Sequence, residues 1–445
     1  MPRSHGDDGG CEMRVEDLVL VSVDDHVVEP PNLFEGRLAK KFIDQAPKLI
    51  RKDSGIEVWS FRGAELPNIG LNAVAGRPPE EYAMDPTSFD EMRSGCYDID
   101  DRVKDMDANG VLGSMCFPSF PQFCGQLFAR TALEDPELGL ALVQAYNDWH
   151  IESWCGAHPG RFIPLSLPPM WDPQLMVAEV RRVAEKGCHA VTFSENPTYL
   201  GHPSIHSGHW DPFFATCEEL GTVVCVHFGS SSKMVVTAED APIDVMISLT
   251  PVNLVQAASD FIWSSVPKNF PTLKYALSEG GIGWIPYFRE RIDYTYERHH
   301  FWTGQDMGDR IPSQVFDDQV VGCWIDDPVG IEMRHKMNID MICWECDYPH
   351  SDSTWPHSPE QFMKQMQAAS CSDIDINKIS HENAIRLFQY DPFTALGGKE
   401  RCTVGALRQQ ADGWDTSIVA RGIKASGTGV MDLVNVSSGG DYTTT

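Results

Sequence analysis

The chain has 445 residues, 42% of them hydrophobic, with 12 Trp and 21 Phe, which is enough for a large buried core and excludes disorder outside the ends. Its formal net charge of −29 repels phosphate backbones and anionic headgroups, so nucleic-acid and membrane partners are not expected. The 13 cysteines are odd in number and scattered through apolar segments, without a Cys-x-x-Cys ribbon, as expected of reduced thiols in a cytoplasmic protein.

Residues 1–15 form a loose polar tail without the apolar core of a signal peptide, and no run reaches the ~18 apolar residues that span a membrane. Residues 18–23 are a short apolar run, predicted as a buried strand, which ends in Asp24-Asp25-His26 and is halted by Glu29-Pro30-Pro31. Residues 53–95 contain a hairpin pattern around Arg62-Gly63 and then a stretch rich in Gly, Asn and Pro. They are predicted as an insertion over the mouth of the fold. From residue 98 strands and helices alternate. Strands are expected at 111–117, 162–167, 189–193, 223–227, 273–277, within 315–325, and at 339–344. Helices are expected at 98–108, within 133–155, and at 175–186, 212–220, 252–266, 284–298, 359–368 and 376–388. About eight strands alternating with helices predict an α/β fold, a (β/α)8 TIM barrel over residues 16–390. Residues 391–445 are read as a C-terminal extension, ending in a flexible tail or an arm that reaches a partner subunit.

In such a barrel chemistry sits at the C-terminal ends of the strands. The first strand delivers Asp24 and His26, which alternation places on one side. Later strands deliver Glu195, His227, Glu279 and Asp347, with His350 on the loop behind. Each has a plain structural alternative. Asp24 could cap a turn, His227 could be a satisfied core histidine, Glu195 could organise a turn, and Glu279 could cap a helix. Converging carboxylates repel one another and desolvate badly unless a cation holds them, so the set together points to a metal site. Glu29, Trp59, His206 and Trp284 are expected to line the substrate pocket, and His299-His300 to lie on a surface or an interface.

Six motifs in order carry a family resemblance: residues 23–31, 191–197, 226–229, 278–284, 347–356 and 381–384. On them the chain resembles the amidohydrolase superfamily, in its amidohydrolase-related branch. The resemblance implies Asp24, His26, His227 and Asp347 as metal ligands, with Asp347 and His350 as catalytic residues. It also places Glu279 where relatives carry His, and Glu195 where binuclear members carry a bridging Lys or Glu. A carboxylate-rich set suits iron or manganese better than zinc, and some relatives of this kind are dinuclear non-haem monooxygenases. The expectation is therefore two divalent ions, Fe and/or Mn with Zn as the alternative, and O2-dependent hydroxylation of a small organic substrate. The alternatives are a mononuclear hydrolase or non-oxidative decarboxylase, and a non-catalytic partner subunit. A homo- or hetero-oligomer is expected.

Overall fold

A computed structural model describes residues 13–66, 70–82 and 86–422. Most of the tail expected at 1–15, and the end of the extension from 423, lie outside the described residues.

The barrel is built from β1 (Val21–Val27), β5 (Gly113–Pro118), β6 (Ala190–Ser194), β7 (Val223–His227), β8 (Tyr275–Ser278), β9 (Val320–Trp324) and β10 (Ile342–Trp344). Every pairing among them is parallel. The expected strand at 162–167 is reduced to two parallel bridges, Ser114 with Phe162 and Ser166 with Val191. Pro164 lies between them and has no N–H to continue a ladder. The ring closes where Asp347 N–H donates to Asp24 O at 2.9 Å and His26 N–H donates to Tyr348 O at 2.7 Å.

Alternation sets two faces. Val21, Val23, Cys225, Ala276, Val321 and Cys323 fill one core inside the barrel. Val191, Phe193, Val224, Val226, Leu277 and Trp324 face outward into a second core beneath the helices. Strands covered on both faces read as continuous apolar runs, which is why they are visible in the sequence.

One helix precedes an expected strand, and another starts earlier than expected. The strand expected within 315–325 is β9 at Val320–Trp324, and the residues before it form the helix Pro312–Gln319, because a proline at the first position is preset for a helix start. The helix expected from residue 252 begins at Ile243 and runs to Trp263. It is the one described helix long and apolar enough to cross a membrane, but Leu254, Ala257, Ala258 and Phe261 bury its inner face in the core between the barrel strands and the helices.

Between β1 and β5 the hairpin pattern gives an antiparallel sheet of β2 (Lys48–Arg51), β3 (Glu57–Phe61) and β4 (Ala64–Leu66). Arg62 and Gly63 turn it with φ of 51° and 81°, the left-handed pair that a two-residue hairpin requires. Residues 391–422 are tied to the fold at several points. Val404 is buried and its N–H donates to Leu18 O at 2.8 Å, Trp414 Nε1 donates to Asp105, and Val419 N–H donates to Gly76 O.

Candidate functional site

The site begins with an irregularity in β1. The register against β5 runs Ser22 with Ser114 and then Asp25 with Cys116, so two residues of β1 lie opposite one of β5. A bulge of this kind switches the faces of a strand. Below it Val21 and Val23 point inward, and above it Asp24 and His26 reach the same interior. Asp25 is left outside, accepting hydrogen bonds from Ser22 Oγ, Ser114 Oγ and the Tyr348 N–H. Burial lifts Asp25 to about 6 although the buried Arg102 guanidinium opposes it. Arg102 also donates to His26 O, so it ties the outside of the strand to its inner residue.

Two more carboxylates enter through unusual backbone. Glu279 and Asp347 both have φ of 57°, a conformation that non-glycine residues adopt only where surroundings hold it and one common at functional sites. Glu345 provides one such hold. It is buried in the barrel interior one layer below Asp347, and its carboxylate accepts the Glu279 N–H at 3.1 Å. The second hold is Asp327, whose Oδ2 accepts the N–H groups of Ile282 and Gly283 at 2.7 and 2.6 Å. Neither residue is among the candidates that the sequence reading names. Glu345 was detectable there, since it lies two positions before Asp347 on the same face of a strand.

Six of the seven expected ligands come together. His26 Nε2 is 3.6 Å from Asp24 Oδ1 and 3.4 Å from Asp347 Oδ1. His227 Nε2 is 3.5 Å from Asp24 Oδ2 and 3.3 Å from Glu279 Oε2, and His350 Nδ1 is 3.0 Å from Asp347 Oδ1. Donor atoms of His26, Glu279, Asp347 and His350 lie within 4.8 Å of one another, as do those of Asp24, His26 and His227. The His350 ring stacks on His26 at 3.7 Å, and Phe123 covers His227 at 4.1 Å. His227 Nδ1 pairs with Phe228 O at 2.6 Å, which leaves Nε2 for the cluster.

The donors suit a cation. Both Asp24 oxygens, both His26 ring nitrogens, His227 Nε2, Asp347 Oδ1 and His350 Nε2 are buried without a hydrogen-bond partner. Orphaned polar atoms at such density are costly unless something charged binds them. Burial first, then mutual repulsion with Glu345, Glu279 and Asp347, holds Asp24 well above the usual carboxylate range, and burial does the same to Glu279 and Asp347. Burial pushes His26 well down and His227 to about 3. A divalent ion would favour the charged carboxylates and the neutral imidazoles alike.

The seventh expected ligand, Glu195, is not among the clustered donors. Glu195 continues the outward face of Val191 and Phe193. Its Oε1 accepts from Gly229 N–H at 2.9 Å, Ser231 Oγ at 2.7 Å and Asn253 Nδ2 at 3.3 Å. It braces the loop after β7, and burial raises it to about 7. None of the four expected pocket residues is among the described lining residues of the cavity next to the cluster. Glu29 is buried, accepting the Ser119 and Phe120 N–H groups at 3.0 and 2.8 Å. Trp59 is a core residue packed on Phe120 at 4.4 Å. His206 pairs with Asp260 at 3.1 Å on the surface, and Trp284 caps Gly280 O through Nε1 and packs on Phe288. The packing uses each of the four for structure.

His227, Glu279, Asp347 and His350 form the floor of a cavity of about 150 Å³. Leu71, Phe123, Phe228, Met234, Met246 and Ile247 make its walls, and Asn72, Gln122 and Asp352 add polar groups. No Lys or Arg is among the described lining residues. Leu71 and Asn72 come from the segment after β4, which docks where the Val74 and Ala75 N–H groups donate to Pro349 O at 2.9 and 3.0 Å.

The sequence model of a family described as amidohydrolase matches residues 53–389. Among solved structures, an amidohydrolase from Mycobacterium avium subsp. paratuberculosis K-10 superposes with a TM-score of 0.62 at 20% identity, covering 83% of this chain and 97% of its own. The 5-carboxyvanillate decarboxylase of Sphingomonas paucimobilis gives 0.55 at 18%, covering 84% and 100%. That of Novosphingobium aromaticivorans, complexed with manganese and 4-hydroxy-3-methoxy-5-nitrobenzoic acid, gives 0.55 at 16%, covering 87% and 98%. At these identities the likeness is one of fold.

Proposed function

The chain belongs to the amidohydrolase family, and from that premise we propose that it is a divalent-metal-dependent enzyme that decarboxylates a small, largely apolar carboxylic acid without oxidation. The observation that carries this reading is the floor of the cavity, where His227, Glu279, Asp347 and His350 are exposed to an apolar chamber. Either His26, Glu279, Asp347 and His350 or Asp24, His26 and His227 would hold the ion, each group having its donor atoms within 4.8 Å of one another and leaving open positions for substrate. Manganese fits a donor set of carboxylates and imidazoles, and the Novosphingobium decarboxylase of the same fold was solved with it. Bound there, the ion supplies the positive charge that the described walls lack, so that an anionic substrate is held without a Lys or Arg.

The chain's own residues do the rest. Phe123 and Phe228 exclude water and orient a flat substrate between them. Asp347 and Glu279, both on the floor, hold the proton. The bond to the carboxyl carbon breaks, CO2 leaves, and the carbon left behind takes a proton from one of these carboxyls, so atoms and electrons balance.

A second reading, O2-dependent hydroxylation at a two-ion iron or manganese centre, draws on the donor count. Six side chains would fill an octahedral ion and leave no place for substrate, whereas two ions would share them. Turnover separates the two readings. The metal-loaded enzyme is given a panel of aromatic and aliphatic acids in a sealed anaerobic cell, and CO2 release is measured. Release without oxygen supports decarboxylation. Product formed only in air, with stoichiometric O2 uptake, sinks it in favour of the second reading.

A further inference from the structure

The helix Ile285–Thr303 buries Ile285, Phe288 and Ile292 against the barrel. Its opposite face carries Tyr287, Tyr294 and Phe301, exposed to 72%, 46% and 83%, with Trp302 beside them at 76%. Aromatic side chains seven residues apart make a straight seam along a helix, and so large an exposed apolar stripe marks a contact surface. The flanks differ in charge. At about 100° per residue, Glu290 and Glu297 line one edge of the seam, and Arg291 and Arg298 line the other. All four are exposed. The two guanidinium carbons lie 5.4 and 5.3 Å from the Tyr294 ring centre, so the Arg edge is laid along the seam.

This pattern selects both its partner and the orientation. In a two-fold pair of antiparallel helices each edge meets its own copy, Arg on Arg and Glu on Glu. In a parallel two-fold pair the Glu edge meets the Arg edge, on both sides at once, while each aromatic residue meets itself. Like charges facing across an interface cost several kcal/mol and opposite charges fix register, so only the parallel arrangement is complementary.

We propose that this face pairs with the same face of a second copy of this chain, the two helices lying parallel about a two-fold axis along the Tyr287–Tyr294–Phe301 seam. Arg291 then faces Glu290 of the other copy and Arg298 faces Glu297. The pairing is independent of which reaction the cavity supports.

Sedimentation velocity of the full chain at micromolar concentration tests it, with far-UV circular dichroism confirming that each variant is folded. The wild type sediments as a dimer. Arg291→Glu with Arg298→Glu makes both edges acidic, and Glu290→Arg with Glu297→Arg makes both basic. Each double variant alone dissociates roughly a hundredfold more readily, the equivalent of about 2.7 kcal/mol. Mixed in equal amounts they form a one-to-one heterodimer, because both edges are again complementary. A monomeric wild type, double variants that stay dimeric, or a mixture that does not associate would each overturn the proposal.

Discussion

Asp24 presents two carboxylate oxygens to the interior of the barrel, and neither has a hydrogen-bond partner. A buried charge without a partner lowers stability, whereas an apolar replacement is often neutral or stabilising. Asp24→Leu is therefore expected to melt no lower than the wild type when both are stripped by a chelator. On adding Mn2+ at a hundredfold excess over its dissociation constant, the wild type gains about 2.7 kcal/mol and the variant gains nothing. Equal gains in both would show that Asp24 is no ligand. Glu29 gives a pH test away from the cluster. Burial raises it to about 7, against the hydrogen bonds from Phe120 and Ser119. Below an ordinary glutamate value both folded and unfolded chains are protonated. As pH rises the unfolded chain loses its proton first, so this group's contribution is full at low pH and is lost through about pH 7. Urea denaturation at pH 5 and pH 8 is expected to show the wild type losing more stability than Glu29→Gln across that interval. A parallel loss in the two chains would contradict this.

The loop carrying Glu279 is held by the start of a neighbouring helix. Asp327 caps the helix Pro328–Glu332 through the Gly330 N–H at 2.8 Å and grips Ile282 and Gly283 with its other oxygen. A Cβ on Gly330 would lie 2.4 Å from Ile282 Cγ1 and 2.9 Å from the Gly283 backbone nitrogen. Gly330→Ala is thus expected to destabilise by about 1–3 kcal/mol through overpacking, and to lower turnover beyond what the stability loss explains, because Glu279 shifts with its loop. Thermal melts with kinetics below the melting range check both. Unchanged kinetics would mean that the clamp does not reach the site. At this scale the sequence was partly legible. The order of strands and helices was readable from apolar runs, and so was the presence of an acid or imidazole at most strand ends. The outward direction of Glu195 was also present in the alternation after Val191 and Phe193. The bulge in β1 and the left-handed turns at Glu279 and Asp347 were not, since nothing in Val-Asp-Asp-His or Ser-Glu-Gly signals them.

Across the whole molecule, the described residues beyond the family match at residue 389 are tied into the fold. Val404 and Leu407 are buried, and the Val404 N–H bonds to Leu18 O in the segment leading into β1. Burial of each such side chain stabilises by about 1.5–3 kcal/mol. A chain ended at residue 398 is expected to melt several degrees lower than the full chain, and an unchanged melting temperature would refute that role. The alternation of strands and helices, the parallel barrel, and the ordered delivery of Asp24, His26, His227, Glu279, Asp347 and His350 to one end of it were determined by the sequence itself. Burial on both faces of a parallel sheet leaves apolar runs, and breaks in those runs mark the strand ends. Which of the ionisable groups share one chamber was decided only by the tertiary structure. Side-chain direction at a strand end depends on one or two backbone dihedrals, and here those are held by distant residues: Glu345 under Glu279, Asp327 beside it, and β5 opposite the bulge in β1.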